Sequence, residues 1–392
     1  MAANSAVQVR PVQGRRELTQ FIKLPFGLHE GTPWVPPLIT ERRRFLDRSK
    51  NPFFEHAEAE YFLAWRDGEP VGRISAQIDQ RWDRFQGGND GMFGFFESEE
   101  DPDVAEALLE AAAGWLRERG RERMLGPMDF STNDECGLLV EGYDRAPLVL
   151  QPWHPPYYRT LIEGQGLTKK MDLLMWWLQF RGQLYSEGDD SFHPMIHAMA
   201  EKAESEHGVT IRDMNKKDLE AELGRFIEVY NSAWERNWGF VPITEEEVRA
   251  QASDLKAVLD ERWCFIAERD GEVLGASVTL PDINQVLAKM NGRLLPFGWL
   301  SFLRGTFSRK GVNTPSAGID RVRVFALGVK PEHQHLGIAA AFYVRCLEVG
   351  KQLDQARAET GWILEVNKPM NRAMEGMGGK VVKRYRLYER AL

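Results

Sequence analysis

Leu327-Gly328-Val329-Lys330-Pro331-Glu332-His333-Gln334-His335-Leu336-Gly337-Ile338-Ala339-Ala340 is the stretch on which the fold turns. Val322 to Val329 alternates and is β-branched enough to be a strand, Pro331 ends it, and Ala339 to Leu353 carries apolar residues at helical spacing. A short turn of pattern QxxGxA thus leads from a strand directly into a helix. The first amides of a helix point outward together, unpaired, at the positive end of its dipole, and a glycine among them lets an anion approach the backbone. Such a turn suits a pyrophosphate. A dinucleotide fingerprint would require GxGxxG, and a Walker loop GKS or GKT; neither is present here.

Gln334, Gly337 and Ala339 fill the three defining positions of R/Q-x-x-G-x-G/A. The turn resembles the acyl-CoA loop of the GNAT superfamily of N-acyltransferases, which follows that family's fourth strand. Downstream, Trp362-Ile363-Leu364-Glu365-Val366-Asn367 resembles the family's fifth strand with its terminal Asn, Pro369 to Met377 resembles the next helix, and Gly378-Gly379 stands where the family has Gly-Phe. The resemblance implies an α/β fold of α+β mixed-sheet type and acyl-CoA, acetyl or longer, as co-substrate, with no metal. It also implies contacts to the donor from Leu327, Val329, Gln334, His335, Leu336, Gly337, Ile338, Ala339, Ala340 and Asn367.

The chain also repeats itself. Tyr61-Phe62-Leu63-Ala64-Trp65-Arg66-Asp67-Gly68-Glu69-Pro70-Val71-Gly72 aligns without a gap on Cys264-Phe265-Ile266-Ala267-Glu268-Arg269-Asp270-Gly271-Glu272-Val273-Leu274-Gly275, each a strand, an Asp-Gly turn and a strand. Ile39-Thr40-Glu41 matches Ile243-Thr244-Glu245, and Glu163-Gly164-Gln165-Gly166 matches Glu375-Gly376-Met377-Gly378, in the same order. Ordered matches imply tandem duplicated GNAT-like domains. We expect a degenerate domain over 1–180, a linker with a connecting helix over 181–207, and an acyl-CoA-binding domain over 208–392 with an insertion at 283–319.

A chain of 392 residues, 43% apolar and 11% aromatic, can bury substantial cores. Its N-terminus lacks the basic start and apolar core of a signal peptide, and no apolar run is long enough to span a bilayer, so a cytoplasmic enzyme is expected. Cys136, Cys264 and Cys346 are odd in number and widely spaced, which indicates neither a disulfide framework nor a zinc site. A net charge of -8 argues against a general nucleic-acid binder.

The halves differ in chemistry. Where the second has QxxGxA, the first has Glu97-Ser98-Glu99-Glu100-Asp101-Pro102-Asp103, good helix capping that would repel a pyrophosphate. CoA binding is therefore expected in the second half alone. The first half instead gathers polar groups after its strands, in Asp129 to Gly137 and Gln151 to Tyr158; Asn133, Glu135 and His154 are candidates for the acceptor surface, a packed Asx-rich turn being the plainer reading. In the second half Trp234, Asn237 and Trp238 border the expected acceptor pocket or fill the core at helical spacing.

Between Asp282 and Asp320 stand Lys289, Arg293, Arg304, Arg309 and Lys310 without a single acidic residue, interleaved with Leu294-Leu295-Pro296-Phe297-Gly298-Trp299-Leu300. The family joins these strands by a short turn, so this is an insertion. Its composition fits a segment lying on an anionic membrane at 289–310, a lid over a long acyl chain, or an interdomain flap.

The resemblance implies direct attack of a neutral amine on the thioester, which needs a base and, for the thiolate, a proton donor. Asp134, Glu235 and Asp320 are the candidate bases. Many family members place a Tyr seven residues after the position of Asn367, where this chain has Met374; Tyr385 and Tyr388 on the expected last strand are possible replacements. Asn51 to Ala57, Asn133 to Gly137 and Arg323 to Val329 resemble bacterial two-domain GNAT-like proteins, a resemblance compatible with acylation of lipid amines, including ceramide-type synthesis. The competing expectation is a catalytically inactive GNAT fold that binds acyl-CoA or another ligand.

Overall fold

The computed structural model of the chain describes residues 6–180, 192–255, 259–294, 298–308, 311–312, 318–355 and 357–392. The polar linker at 181–191 and the cations Arg309 and Lys310 lie outside the described residues. The first half runs β1 (Gln8–Pro11), α1 (Gly14–Leu28), α2 (Ile39–Phe45), β2 (Ala57–Arg66), β3 (Glu69–Asp79), α3 (Gln80–Gln86), β4 (Asp90–Ser98), α4 (Pro102–Glu118), β5 (Arg123–Gly126), β6 (Leu138–Glu141), α5 (Tyr157–Gly164) and β7 (Thr168–Gln179). The second begins with α6 (Pro194–Ser205), β8 (Thr210–Asp213), α7 (Leu219–Ala233), α8 (Glu245–Leu255), β9 (Cys264–Arg269) and β10 (Glu272–Pro281). The insertion holds α9 (Asn284–Leu287), α10 (Gly298–Thr306) and the hairpin β11 (Phe307–Ser308) and β12 (Gly311–Val312). Then follow β13 (Arg321–Val329), α11 (Ile338–Leu353), β14 (Arg357–Leu364), α12 (Lys368–Gly376) and β15 (Lys380–Ala391).

The repeated hairpins fold alike because their turns do. Asp67 and Gly68 have φ of 51° and 83°, and Asp270 and Gly271 have 54° and 83°. Two successive positive φ values make a type I′ turn, whose twist matches that of the strands it joins, and Asp-Gly tolerates it. The acidic junction of the first half caps its helix: the Asp101 carboxylate accepts from the amide of Asp103 at the start of α4. Each half packs one long helix on its strands, with Val104, Leu108 and Leu116 of α4 in one core and Ile338, Phe342 and Leu347 of α11 in another.

Thirteen strands form one mixed sheet in the order β1-β2-β3-β4-β5-β15-β7-β14-β13-β10-β9-β8, with β6 on β15. The halves exchange their last strands: β7 of the first lies on β14 of the second, and β15 of the second lies on β5 of the first. That exchange relocates the expected fifth strand. It begins at Arg357, opposite Gln179, and ends at Leu364, opposite Leu173, so Asn367 falls beyond it and caps α12 by accepting from Met370. No helix among the described residues is long and apolar enough to cross a membrane.

Candidate active site

In the second half the central parallel strands part. β13 and β14 pair only from Arg321 opposite Arg357 to Val324 opposite Thr360. Beyond, β13 continues to Val329 and β14 to Leu364 with no ladder between them. On its other side β13 carries a bulge: the register with β10 jumps from Ala326 to Val324 and skips Phe325. A bulge bends its strand and re-aims the backbone groups beside it. Arg323 closes the base of the opening, donating to the carbonyls of Val149 at 2.6 Å and Gly361 at 3.3 Å. Burial draws its pKa down to about 10. Arg323 Nε, Thr360 Oγ1 and Trp362 Nε1 have no hydrogen-bond partner there. Native interiors rarely leave such groups unmet, so three buried ones at one fork suit a polar ligand.

In the first half the corresponding fork is shut. After the last β4–β5 pair, Met92 opposite Leu125, the chain stays against β4: the Met128 amide donates to Phe93 O at 2.8 Å, and the Phe95 amide to Asp129 Oδ1 at 2.8 Å. A Cβ on Gly94 would lie 1.8 Å from the Met128 carbonyl oxygen, so only glycine permits this approach. The space beside it is filled by Glu97, which receives hydrogen bonds from Tyr158 Oη at 2.8 Å and Arg73 at 3.4 Å and pairs with His29 at 2.7 Å. Burial works against the Glu97 carboxylate, yet His29 and Arg73 outweigh it and hold its pKa at about 2. His154 belongs to this plug and not to an acceptor surface: its Nδ1 accepts from the Leu139 amide, and burial lowers its pKa to about 4.

The QxxGxA turn is a 3-10 helix, Pro331–Leu336, followed by Gly337 with φ 81° and then α11. Gln334 and His335 are exposed, whereas Leu336, Ile338 and Ala340 are buried and Ala339 is half-buried. Gly337 has a use that sequence reading missed. A Cβ there would sit 2.4 Å from the Met199 carbonyl oxygen, so the glycine seats α6 against the turn.

One wall of the open fork comes from both halves. Trp234, which ends α7, lies against Gly328 of β13, where a Cβ would be 2.3 Å from its ring. Tyr230 stacks on Trp234 at 4.8 Å and donates to Asn133 Oδ1 at 2.7 Å. Thr132 and Asn133 donate onward to the carbonyls of Gly239 and Val241. The loop after β5 is thus bonded to the helix pair of the second half. Its Asp134 accepts from Ser131 at 2.9 Å, and burial lifts its pKa to about 8. A cavity of about 70 Å³ opens beside it, lined by Phe45, Asn51, Phe53, Asn133, Ile243 and Glu247 among others.

Other candidates lie elsewhere. Glu135 pairs with Arg42 at 3.1 Å on the first-half side of the loop. Glu235 is exposed, and Asp320 pairs with Arg357 at the closed end of β13. Trp238 packs edge-on against Trp82, and the Asn237 amide turns back to Trp234 O. Tyr385 sits beside Trp362, but its hydroxyl donates to Pro152 O and burial raises its pKa. Tyr388 bonds Glu163 in the first half's core. Met374 is fully buried. One turn earlier on α12, Met370 Sδ accepts from Tyr343 Oη of α11 at 3.2 Å. Tyr343 therefore brings a hydroxyl to the α12 face that holds Met374, and it shares a core with Leu327. Tyr343 was not singled out from sequence, and Arg323 entered only as the first residue of a stretch that resembles two-domain GNAT-like proteins, because no local pattern marks a side chain that reaches across from another element.

No protein-family model matches the chain. Over 397 residues, 100% of this chain and 99% of the relative, it is 39% identical to the bacterial ceramide synthase of Caulobacter vibrioides. The chain belongs to that family. It is also 35% identical to protein YghO of Escherichia coli, over 98% of this chain and 95% of the relative. Among solved structures, a tandem GNAT protein from the clavulanic acid biosynthesis pathway matches with a TM-score of 0.56 at 13% identity, covering 98% of both chains, which establishes the tandem GNAT fold. The family thus has the fold of a tandem GNAT protein.

Proposed function

We propose that this acyltransferase takes its acyl group from acyl-CoA held in the fork between β13 and β14 and passes it to the amine of a long-chain, lipid-type acceptor. The observation that carries the reading is the asymmetry of the two forks: one is parted and ringed by unmet donors, and the other is bonded shut and filled by Glu97. The pyrophosphate would lie at Gln334 to Ala339, with Leu327, Val329 and Asn367 along the pantetheine. The acceptor would enter between the 131–134 loop and the α7–α8 segment, against Trp234 and Tyr230. The similarity to a ceramide synthase supports a lipid amine and a fatty acyl chain.

In the reaction a C–N bond forms and the C–S bond breaks. The attacking amine loses a proton to the Asp134 carboxylate, whose raised pKa makes it a stronger base than an ordinary aspartate. The fork donors Arg323 Nε and Trp362 Nε1 stabilise the negative charge that develops on the carbonyl oxygen. Tyr343 gives a proton to the departing thiolate in place of the family Tyr. For working purposes the donor domain is 208–392 and the acceptor-bearing domain 1–180.

Thiol release from palmitoyl-CoA and from acetyl-CoA, with long-chain and short-chain amines, tests the reading. Amine-dependent release with the long-chain pair is expected. The buried Met374 favours a second reading, a GNAT fold that binds acyl-CoA without turning it over. CoA binding by calorimetry without thiol release would select it.

A further inference from the structure

The insertion is anchored on one side and exposed on the other. On the inner side Gly292 O accepts from the Ile39 amide at the start of α2, and a Cβ on Gly292 would meet Phe26 at 2.7 Å. Gly305 of α10 presses on Val286, Phe302 packs into the core of Ile283 and Met290, and Thr306 is fully buried. With those contacts holding it down, α10 presents its other face outward. Leu294, Trp299 and Leu303 are 37%, 45% and 44% exposed, three of the eight large apolar side chains so exposed among the described residues. Trp299 and Leu303 are four residues apart, hence on one stripe of the helix. Lys289, Arg293 and Arg304 are exposed around them, with no acidic residue between Asp282 and Asp320.

We infer that this face docks on an anionic lipid bilayer. Apolar and aromatic side chains ringed by cations suit an interface where the chains enter the acyl boundary and the cations meet lipid phosphates. A chain of net charge -8 would be repelled from such a surface unless a basic patch faced it. The position of the patch adds a use. α2 starts on the insertion, at Ile39 against Gly292, and ends at Phe45, which lines the cavity beside Asp134. At about 1.5 Å per residue that is roughly 9 Å. An amphiphile leaving the bilayer at this face therefore has a short path to the site. This path rests on the acceptor reading above; the docking itself does not.

The test is sedimentation of the full chain with phosphatidylcholine vesicles, with and without phosphatidylglycerol, at low and high salt. The parent is expected to bind the anionic vesicles and to release them at high salt. Each cation contributes roughly fivefold to partitioning, so Lys289→Gln, Arg293→Gln, Arg304→Gln together should lose about a hundredfold. Trp299→Ser, Leu303→Ser should weaken binding with the salt dependence intact. Unchanged melting temperatures establish that both variants fold. Equal sedimentation of parent and variants would overturn the docking, as would a native mass showing a dimer that Trp299→Ser, Leu303→Ser dissolves. Thiol release from palmitoyl-CoA with a detergent-solubilised amine, run on the same variants, tests the acceptor reading separately.

Discussion

The two forks occupy equivalent places in one repeat, and a handful of residues makes them opposite. Gly72 faces Ser98 at the end of β4, and Gly275 faces Val329 at the end of β13. Matched through their hairpin partners, Gly94 corresponds to Ala326, Glu97 to Gly328, and Arg73 to Ala276. In the first half glycine lets the next segment close on β4, and Glu97 with Arg73 and His29 fills what space remains. In the second, the pairing of β13 with β14 ends at Val324 opposite Thr360, and Gly328 makes room for Trp234. His29 and Trp234 even share a station, each capping the C-terminus of the helix that follows the first strand of its half. One half thus fills its fork with a buried ion pair, and in the other the two strands stand apart.

The largest effect expected from this contrast is on donor binding. Gln334→Glu, His335→Glu adds two negative charges at exposed positions of the turn without touching its packing. Calorimetry should find CoA affinity reduced on the order of a hundredfold, since like charges a few ångströms apart cost about a kcal/mol or more each. Reversing Glu99 and Glu100 to Lys at the matching junction of the first half should leave CoA affinity unchanged. Restored or second-site binding there would mean that the first fork is open in solution. Gly337 is a poor site for this experiment, because a side chain there collides with α6 whether or not CoA binds.

Next in size is Asp134→Asn, expected to lower kcat by about a hundredfold with CoA affinity retained. The parent's kcat/KM should rise with pH through about 8, as the carboxylate forms, and the variant should lose that limb. Stability moves the other way. A carboxyl whose folded pKa lies above its unfolded value favours the fold at low pH, and that contribution is lost as pH rises from about 4 to about 8. Asp134→Asn should therefore be more stable than the parent at pH 7, by up to about 4 kcal/mol. A variant that keeps full activity across that pH range would make the loop a structural turn and nothing more.

Much of the fold was legible because it rests on short-range signals. The Asp-Gly turns, the apolar alternation of β13 and the glycine-bearing helix start each act over a few residues. The strand exchange was not legible, because β7 and β15 would read the same whichever half they joined. The site was legible in part for the same reason. Asn133, Asp134 and Trp234 were singled out as unusual local composition, and the fold does bring their loops together. His154 looked equally unusual, yet its surroundings are set by Glu97, far away in sequence, and no local pattern reveals that plug.

Glu97→Gln would break the plug itself. The folded pKa of Glu97, about 2, lies below its unfolded value, so its contribution is present above about pH 4.5 and is lost as pH falls through about 2. Removing the charge leaves Arg73 buried without its counter-ion, at a cost of about 3 kcal/mol. Denaturant unfolding at pH 7 should show that loss while CoA affinity stays at the parent value. A change in CoA affinity would mean that the first half takes part in donor binding after all.

The smallest expected effect sharpens the comparison inside the open fork. Among the described residues Tyr343 has only a thioether as its hydrogen-bond acceptor, a weak partner for a buried hydroxyl, and burial raises its pKa so that it remains protonated. If it protonates the thiolate, Tyr343→Phe removes one oxygen and keeps the ring's packing, so kcat should fall about tenfold with the melting temperature nearly unchanged. The loss should shrink with acyl donors whose thiol is more acidic, because such a thiolate leaves without help. A merely structural tyrosine would give the same small loss for every leaving group, and adding Met374→Tyr to the Tyr343→Phe variant would then rescue nothing. Recovery of kcat in that double variant would instead place the proton at the same point of the fork from the opposite helix.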